Sequence, residues 1–400
     1  MADSKKVDPG RILVCGTEIS GMLGDCARAL GTRWDVASCC LEHNQNFPLA
    51  YTYGFVVLPI PGTGILDRIS RKVVNTCAAA CRALLFAYLI FRFKTWIFFW
   101  CQSFLPWNLD RLILRLLGKR VITVTLGSEI RFLPIQYHWE RKVKGYWYYP
   151  EDDEQAWKEC LPERAYQAGF LKFWRTRVSE LAGDVISLRT QATFQKKFHY
   201  FFRFAYCGEE SELKEPGEKI RIVHAPTNRV VKGTRYVFDA MKILERKHAG
   251  KFEFVFLEKV PNSQVMAEFR RSDIVIDQPG PWIARVAIEA MASGCAVVGG
   301  NSPEYLGVDL NCPVIQFECD GEKLADSIGE LISDRKRLSA LKSEGQEFYR
   351  KYYRQDAFCD WFQDVLAGRA TRQEVDSKYR NVLLDGAISG WQRMWLRFLY

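Results

Sequence analysis

The sequence predicts two doubly wound α/β domains, each built on a parallel sheet with helices on both faces. Three observations carry that expectation. Arg11–Gly16 reads RILVCG, a short apolar run that stops at a glycine, and a loop, a helical stretch and a second apolar run follow it. Strand, glycine loop, helix, strand is how such a unit begins. Beyond a charged stretch at Glu209–Lys219 that carries Pro and Gly, short apolar runs again alternate with helical periods, the pattern of a second parallel sheet. Finally, 400 residues with 48% hydrophobic and 26% charged side chains suffice for two such cores and do not describe a disordered chain.

In the first half, strands are expected at Arg11–Gly16, Asp35–Cys40, Phe55–Leu58, Thr95–Trp100, Arg120–Thr125 and Asp184–Leu188, with a helix at Met22–Leu30. Apolar runs without alternation mark strands covered on both faces. The stretch Val73–Trp107 is more apolar than the rest. A membrane-spanning helix needs about 18 such residues with few charges, whereas Arg82, Arg92 and Lys94 interrupt this one and Pro106 closes it. It therefore reads as a buried helix, Val73–Phe91, followed by a buried strand. Pro134–Pro162, rich in Trp, Tyr and charge and without a period, reads as an insertion that covers a cleft or lines an interface rather than one that binds single-stranded nucleic acid.

The second half predicts strands at Ile220–His224, Phe252–Leu257, Asp273–Asp277, Ala296–Gly299 and Val314–Phe317. Helices alternate with them at Thr234–Lys247, Ser263–Arg271, Ala284–Ser293, Glu322–Ser333 and Arg335–Tyr353. The expected division is a first domain at 1–208, a linker at 209–219, a second domain at 220–345 and terminal helices at 346–400.

A net charge of +9 suits a polyanionic partner: nucleotide phosphate, nucleic acid or an acidic membrane. No run of six like charges marks a nucleic-acid arm. The 13 cysteines form no C-x-x-C pair, and several, such as Cys15 and Cys295, sit in apolar runs. They read as buried free thiols of a reducing compartment, so a cytoplasmic location is expected. Met1–Gly10 lacks the apolar core of a signal peptide. His43, His138, His199, His224 and His248 show no metal-ligand spacing, and no Asp-x-Asp motif occurs. Neither a metal nor a permanently bound cofactor is expected.

Ligands of doubly wound sheets bind outside the carboxyl ends of the strands, which directs attention to three loops. The first, His224-Ala-Pro-Thr-Asn-Arg-Val-Val-Lys-Gly-Thr234, joins a strand to a helix. It brings two cations, Arg229 and Lys232, to a helix start at Gly233 and Thr234, where backbone N–H groups and the dipole favour an anion. An N-capped helix with surface charges is the alternative. The second follows Asp277. Gly280 permits close backbone approach, and Trp282 lies beside it. Glu289 falls in an otherwise apolar helix, where a carboxylate needs a partner. That partner is either a ribose diol or a neighbouring cation such as Arg285. The third, Thr125-Leu-Gly-Ser-Glu-Ile-Arg131, places Gly127 and Ser128 at a strand end. Gly21 plays the same part in the first loop.

HAPTNRVVKGT, SDIVIDQ and AIEAMASGCAVVG, all between His224 and Gly299, resemble the donor-binding domain of family 4 glycosyltransferases. The first half matches less sharply, in FLPWNLDRLILRLLGKRVITVTLGSEIR. The resemblance implies the GT-B fold: two facing Rossmann-like domains, with C-terminal helices crossing back onto the first. It further implies retaining transfer of a hexosyl group from a nucleoside-diphosphate sugar to a glycan, polysaccharide or lipid-linked acceptor. Arg229 and Lys232 would stabilise the departing diphosphate and Glu289 would bind the ribose. The Gly280–Trp282 loop would lie by the donor sugar, with Asp277 or backbone amides meeting its hydroxyls. Gly21, Gly127 and Ser128 would give room near the diphosphate and acceptor. Two departures stand against the family pattern. Where the family carries a first glutamate seven intervening residues before the second, this chain has Pro281, and no histidine occurs in TWIFFWCQ or VITVTLGSE. A GT-B epimerase, and a degenerate binding protein without turnover, therefore stay open. Peripheral contact with an acidic membrane at the inner face stays open too, through the Trp- and Arg-bearing segment Ile388–Tyr400.

Overall fold

The computed structural model describes residues 7–42, 51–54, 65–100, 103–127, 130, 172, 174–187, 199–201, 203–280, 283–300 and 312–373. The chain forms two compact units. One holds the described residues up to Ala205 and those from Cys359 onward; the other runs from Tyr206 to Phe358.

The first unit is an eight-stranded sheet. In chain order its strands are β1 (Ile12–Thr17), β2 (Val36–Glu42), β3 (Tyr53–Gly54), β4 (Thr95–Phe99), β5 (Arg120–Val124), β6 (Asp184–Ser187), β7 (His199–Phe201) and β13 (Arg372–Gln373), and across the sheet they run β13-β7-β6-β5-β4-β1-β2-β3. All pairs are parallel except β13 with β7. Every residue of β1 is buried, as a central parallel strand requires. Its Gly16 adopts φ 127°, and a Cβ there would stand 2.1 Å from the Phe99 carbonyl oxygen of β4. Only glycine fits that approach.

Helix α1 (Met22–Gly31) links β1 to β2, α2 (Ile65–Leu89) leads to β4, and α3 (Leu109–Leu116) joins β4 to β5. The expected strand Arg120–Thr125 and the strand after the apolar stretch are both present. The expected burial of the preceding helix is corrected. Phe86, Leu89 and Ile90 are buried, but Val73, Leu84, Tyr88 and Phe91 are exposed, and of the window Lys72–Leu89 only 11% is buried. One side of the helix satisfies the sheet, and the apolar residues on the other side face outward. The expected strand Phe55–Leu58 and the segment Pro134–Pro162 lie outside the described residues.

The second unit has a five-stranded, wholly parallel sheet. Its strands are β8 (Ile220–His224), β9 (Phe252–Phe256), β10 (Ile274–Ile276), β11 (Ala296–Gly299) and β12 (Val314–Gln316), in the order β12-β11-β10-β8-β9. Helices α4 (Thr234–Lys247), α5 (Asn262–Phe269), α6 (Arg285–Ala292), α7 (Gly321–Ser333) and α8 (Arg335–Tyr352) alternate with or follow the strands. Asp320 caps α7 by accepting from the Glu322 and Lys323 N–H groups, and Asp334 caps α8 through Arg337 N–H, as short acidic side chains do at helix starts. The core joins Ile222, Ile274, Ile276 and Val298 from the sheet to Val237, Leu244, Ile328 and Leu331 from the helices.

The charged stretch Glu209–Lys219 is laid along the second unit. The Ser211 N–H donates to Ala292 O (2.9 Å), Gln346 to Ser211 O (2.6 Å) and Arg335 to Glu218 O (2.7 Å). Helix α8 packs on α6 and β11 of the second unit. Helix α9 (Gln355–Leu366) reaches the first unit at Cys359, whose Sγ donates to Ala29 O (3.1 Å), while Arg120 donates to Leu366 O (2.7 Å).

Candidate functional site

In the second unit, β8 and β10 are neighbours, and their carboxyl ends carry the two loops singled out by sequence. Lys232 Nζ meets Asp277 Oδ1 at 2.6 Å, and both side chains are almost wholly buried, 10% and 1% exposed. The other carboxylate oxygen, Asp277 Oδ2, is buried and accepts from no group among the described residues. A buried ion pair of this kind adds little stability over an apolar pair of the same size, and a buried acceptor left without a donor is costly. Asp277 therefore holds unused hydrogen-bonding capacity at the end of a central strand, where ligands of such sheets bind. Gly280 (φ 123°) follows it, and its carbonyl accepts from Gln316 Nε2 at 3.4 Å.

The turn between β8 and α4 is closed on itself. Asn228 Oδ1 accepts from the N–H groups of Val230 (2.9 Å) and Val231 (3.1 Å), Lys232 N–H donates to Asn228 O, Gly233 N–H to Val230 O and Thr234 N–H to Arg229 O. The N–H groups of Gly233 and Thr234, expected free at the helix start, are thus taken by the backbone carbonyls of Val230 and Arg229 in the turn itself. Gly233 keeps a positive φ of 63°, and a Cβ there would press on Phe317 and Pro279 at 3.0 Å.

Arg229 is exposed and forked onto Glu258 at 2.6 and 2.7 Å, with its guanidinium 5.2 Å from the Phe256 ring centroid. Those hydrogen bonds hold the Glu258 carboxyl below its ordinary range. Glu289 meets the alternative weighed for it in the sequence: Arg285 Nε donates to its Oε1 at 2.8 Å, one helical turn away, with Glu289 buried and the Arg285 side chain 11% exposed. Arg285 also lies over the Tyr206 ring at 5.4 Å.

His224, to which sequence reasoning assigns no role, ties the site together. It ends β8; Nδ1 donates to Ile276 O of β10 (2.9 Å) and Nε2 accepts from the Thr234 hydroxyl of α4 (2.9 Å). Burial, opposed by the Ile276 hydrogen bond and assisted by the Lys232 charge, lowers its pKa to about 4. The folded protein thus resists a proton that the unfolded chain accepts near pH 6.5. Stability from this residue is complete above that value and is lost as pH falls toward 4, by about 3 kcal/mol in all. Urea unfolding at pH 7 and pH 5 should show a steeper loss for the parent than for His224→Gln, whose side chain does not titrate.

In the first unit the anion seat at α1 is filled by the protein itself. Glu18 is buried, and its Oε2 accepts from Gly24 N–H (3.0 Å) and the Tyr51 hydroxyl (2.9 Å), its Oε1 from Leu23 N–H (3.4 Å). Gly21 adopts φ 78° as the N-cap. Near Gly21 the backbone therefore meets a carboxylate of its own chain. The sequence signal was present, a lone Glu inside the glycine loop TEISG. Gly127 is buried, its carbonyl accepting from Ile130 N–H (3.2 Å). Ser128, Pro281 and Trp282 lie outside the described residues.

No protein-family model matches the chain, and no curated protein does. Solved structures do. A protein described as a UDP-N-acetylglucosamine 2-epimerase from Listeria monocytogenes superposes with a TM-score of 0.52 at 10% identity, over 90% of this chain and 97% of that one. An alpha-glucosyltransferase in complex with UDP-glucose and DNA containing an abasic site superposes with a TM-score of 0.51 at 11% identity, over 89% and 99%. This chain carries two Rossmann-like α/β units. The chain has the GT-B fold. At such identities the likeness reaches the fold and no further. What the GT-B frame adds is position: β8 and β10 are adjacent central strands, so Lys232 and Asp277 stand where this architecture leaves the strand ends open to a ligand.

Proposed function

We propose that this GT-B protein is a glycosyltransferase. It would take a sugar from a nucleoside-diphosphate donor and pass it, with retention of configuration, to a glycan, polysaccharide or lipid-linked acceptor, as the family 4 resemblance implies. The observation that carries the reading is the buried Lys232–Asp277 pair with its spare oxygen. A hydroxyl of the donor sugar supplies the donor that Asp277 Oδ2 lacks, and Lys232, already desolvated, places positive charge where a diphosphate would leave. Fixed charge in a dry site counts for more than in water. Arg229 contributes after exchanging Glu258 for phosphate, and Glu289, oriented by Arg285, faces the ribose. Cationic side chains take the part that a divalent ion plays in other transferases. Gly127 and Ser128 would serve the acceptor side and Trp282 the donor sugar.

Glu258 on Arg229 and Arg285 on Glu289 also favour a second reading, in which the chain binds sugar nucleotides without turning them over. Incubation with a panel of UDP-, GDP- and ADP-sugars and candidate acceptors separates the two. The transferase reading expects nucleoside diphosphate release and a product whose anomeric signal matches the donor. Binding with neither release nor transfer across the panel would leave the binding-protein reading.

A further inference from the structure

Helices α2 and α3 are apolar on the side turned away from the protein. On α2 the buried side is Phe86, Leu89 and Ile90. The other side repeats Val73, Cys77, Cys81, Leu84 and Tyr88 at steps of three and four, all five exposed, and Phe91, just past the helix end, is exposed by 88%. That spacing is one helical face. Helix α3 buries Leu114 together with its charged Asp110 and Arg111, while Leu109, Ile113 and Leu116, and Leu117 just past its end, are exposed, Leu116 by 85%. The crossovers β3-α2-β4 and β4-α3-β5 advance the same way across the sheet. Right-handed crossovers then set both helices on one sheet face, where Phe86, Leu89 and Leu114 share a core. Their outward sides point the same way.

Cations outnumber acids around this face, and the acids beside Arg115 and Lys119, Glu180 and Asp184, are paired with Arg177 and Arg120. From Ser70 to Lys94 the chain has no Asp or Glu and five Lys or Arg. Of these Lys72, Arg92 and Lys94 are exposed, as is Arg115 on α3, with Lys119 half-buried beyond it. The only acid between Leu105 and Arg120 is the buried Asp110. An apolar face of this extent, rimmed by cations, marks an interaction site.

We propose that the α2–α3 face docks on an anionic lipid bilayer, with the helices lying in the headgroup region. Helix α2 does not leave the sheet to span, because Phe86 is packed on Trp96 and Phe104, at 5.7 and 5.8 Å between ring centroids. Two copies set face to face would oppose cations to cations, which disfavours a dimer through this surface. An acidic bilayer meets both features: apolar side chains enter the headgroup boundary and lysines and arginines sit against anionic headgroups. The inference stands independently of the donor site.

The test is flotation of the full chain with phosphatidylglycerol vesicles and with phosphatidylcholine vesicles. The chain should float with the first, release in high salt, and bind the second far less. Leu84→Glu with Leu116→Glu, both at exposed positions, should lower binding at least about tenfold while circular dichroism and melting stay unchanged. Arg115→Gln should lower it about fivefold. Maleimide labelling of Cys77 and Cys81 should slow when phosphatidylglycerol vesicles are added. A chain that stays unbound with phosphatidylglycerol, or a double variant that floats as well as the parent, would overturn the proposal. So would a parent that is dimeric by light scattering, does not float, and becomes monomeric in the double variant; that result would assign the face to a second copy.

Discussion

Replacing Lys232 by Ala is expected to destabilise the protein by about 3–5 kcal/mol, more than loss of a phosphate contact alone would explain. The reason is Asp277. Its carboxylate is 1% exposed, one oxygen rests on Lys232 Nζ at 2.6 Å and the other has no donor among the described residues. Removing the cation leaves a buried, uncompensated charge, and breaking one side of such a pair costs in this range. Replacing both partners by apolar side chains of similar size removes the charge together with its counter-charge. Lys232→Met with Asp277→Leu should therefore recover most of the loss in urea unfolding. The same double variant should bind nucleoside diphosphate weakly or not at all. Stability restored without binding would separate the two roles of the pair. A single Lys232→Ala variant as stable as the parent would show that Asp277 finds another partner or takes up a proton.

A loss of similar size is expected from Asp110→Ala in the first unit. Asp110 is fully buried at the start of α3, accepting from the Ser103 hydroxyl, from Phe104 N–H at 2.8 Å and from Arg111 N–H at 3.0 Å. Burial pushes its carboxyl up, and the charge of Arg111 draws it back. Arg111 is itself buried. It donates to Ser179 (2.7 Å) and to Trp100 O at the end of β4 (3.3 Å), and lies 4.8 Å from the Phe98 ring centroid. Alanine at 110 strips three donors of their acceptor and leaves the guanidinium without its nearby carboxylate, for about 3–5 kcal/mol. Asp110→Asn keeps an acceptor and should cost less. Thermal melts of the two variants beside the parent decide the point. Equal melting temperatures for Asp110→Ala and the parent would show that this network contributes nothing.

These two networks mark where the sequence was legible and where it was not. Uninterrupted apolar runs located β1, β4, β5, β8 and β11 within a residue or two, because a strand covered on both faces leaves no alternation to misread. β3, β7 and β13 are two or three residues long, too short for any pattern. The loops around Lys232 and Asp277 were legible as a site from strand-end position and residue type. Their pairing was not, since 45 positions separate the partners and only the β8–β10 register brings them together. Glu258 and His224 were missed for the same reason: one acts on Arg229 from the end of the next strand, the other through a carbonyl of β10. The apolar stretch before β4 suggests a buried helix, yet composition does not say which side of a helix meets the core. The outward stripe from Val73 to Phe91 has the same spacing as an inward one.

A nucleoside-diphosphate site at Lys232 and Asp277 is tested most directly by a thermal-shift series with UDP, GDP, ADP and their sugar conjugates on the parent and on Lys232→Met with Asp277→Leu. One base series should stabilise the parent, by about 2.7 kcal/mol at a hundredfold excess over its dissociation constant, and leave the double variant unmoved. No shift in folded parent protein with any of these ligands at millimolar concentration, or an equal shift in the double variant, would contradict it.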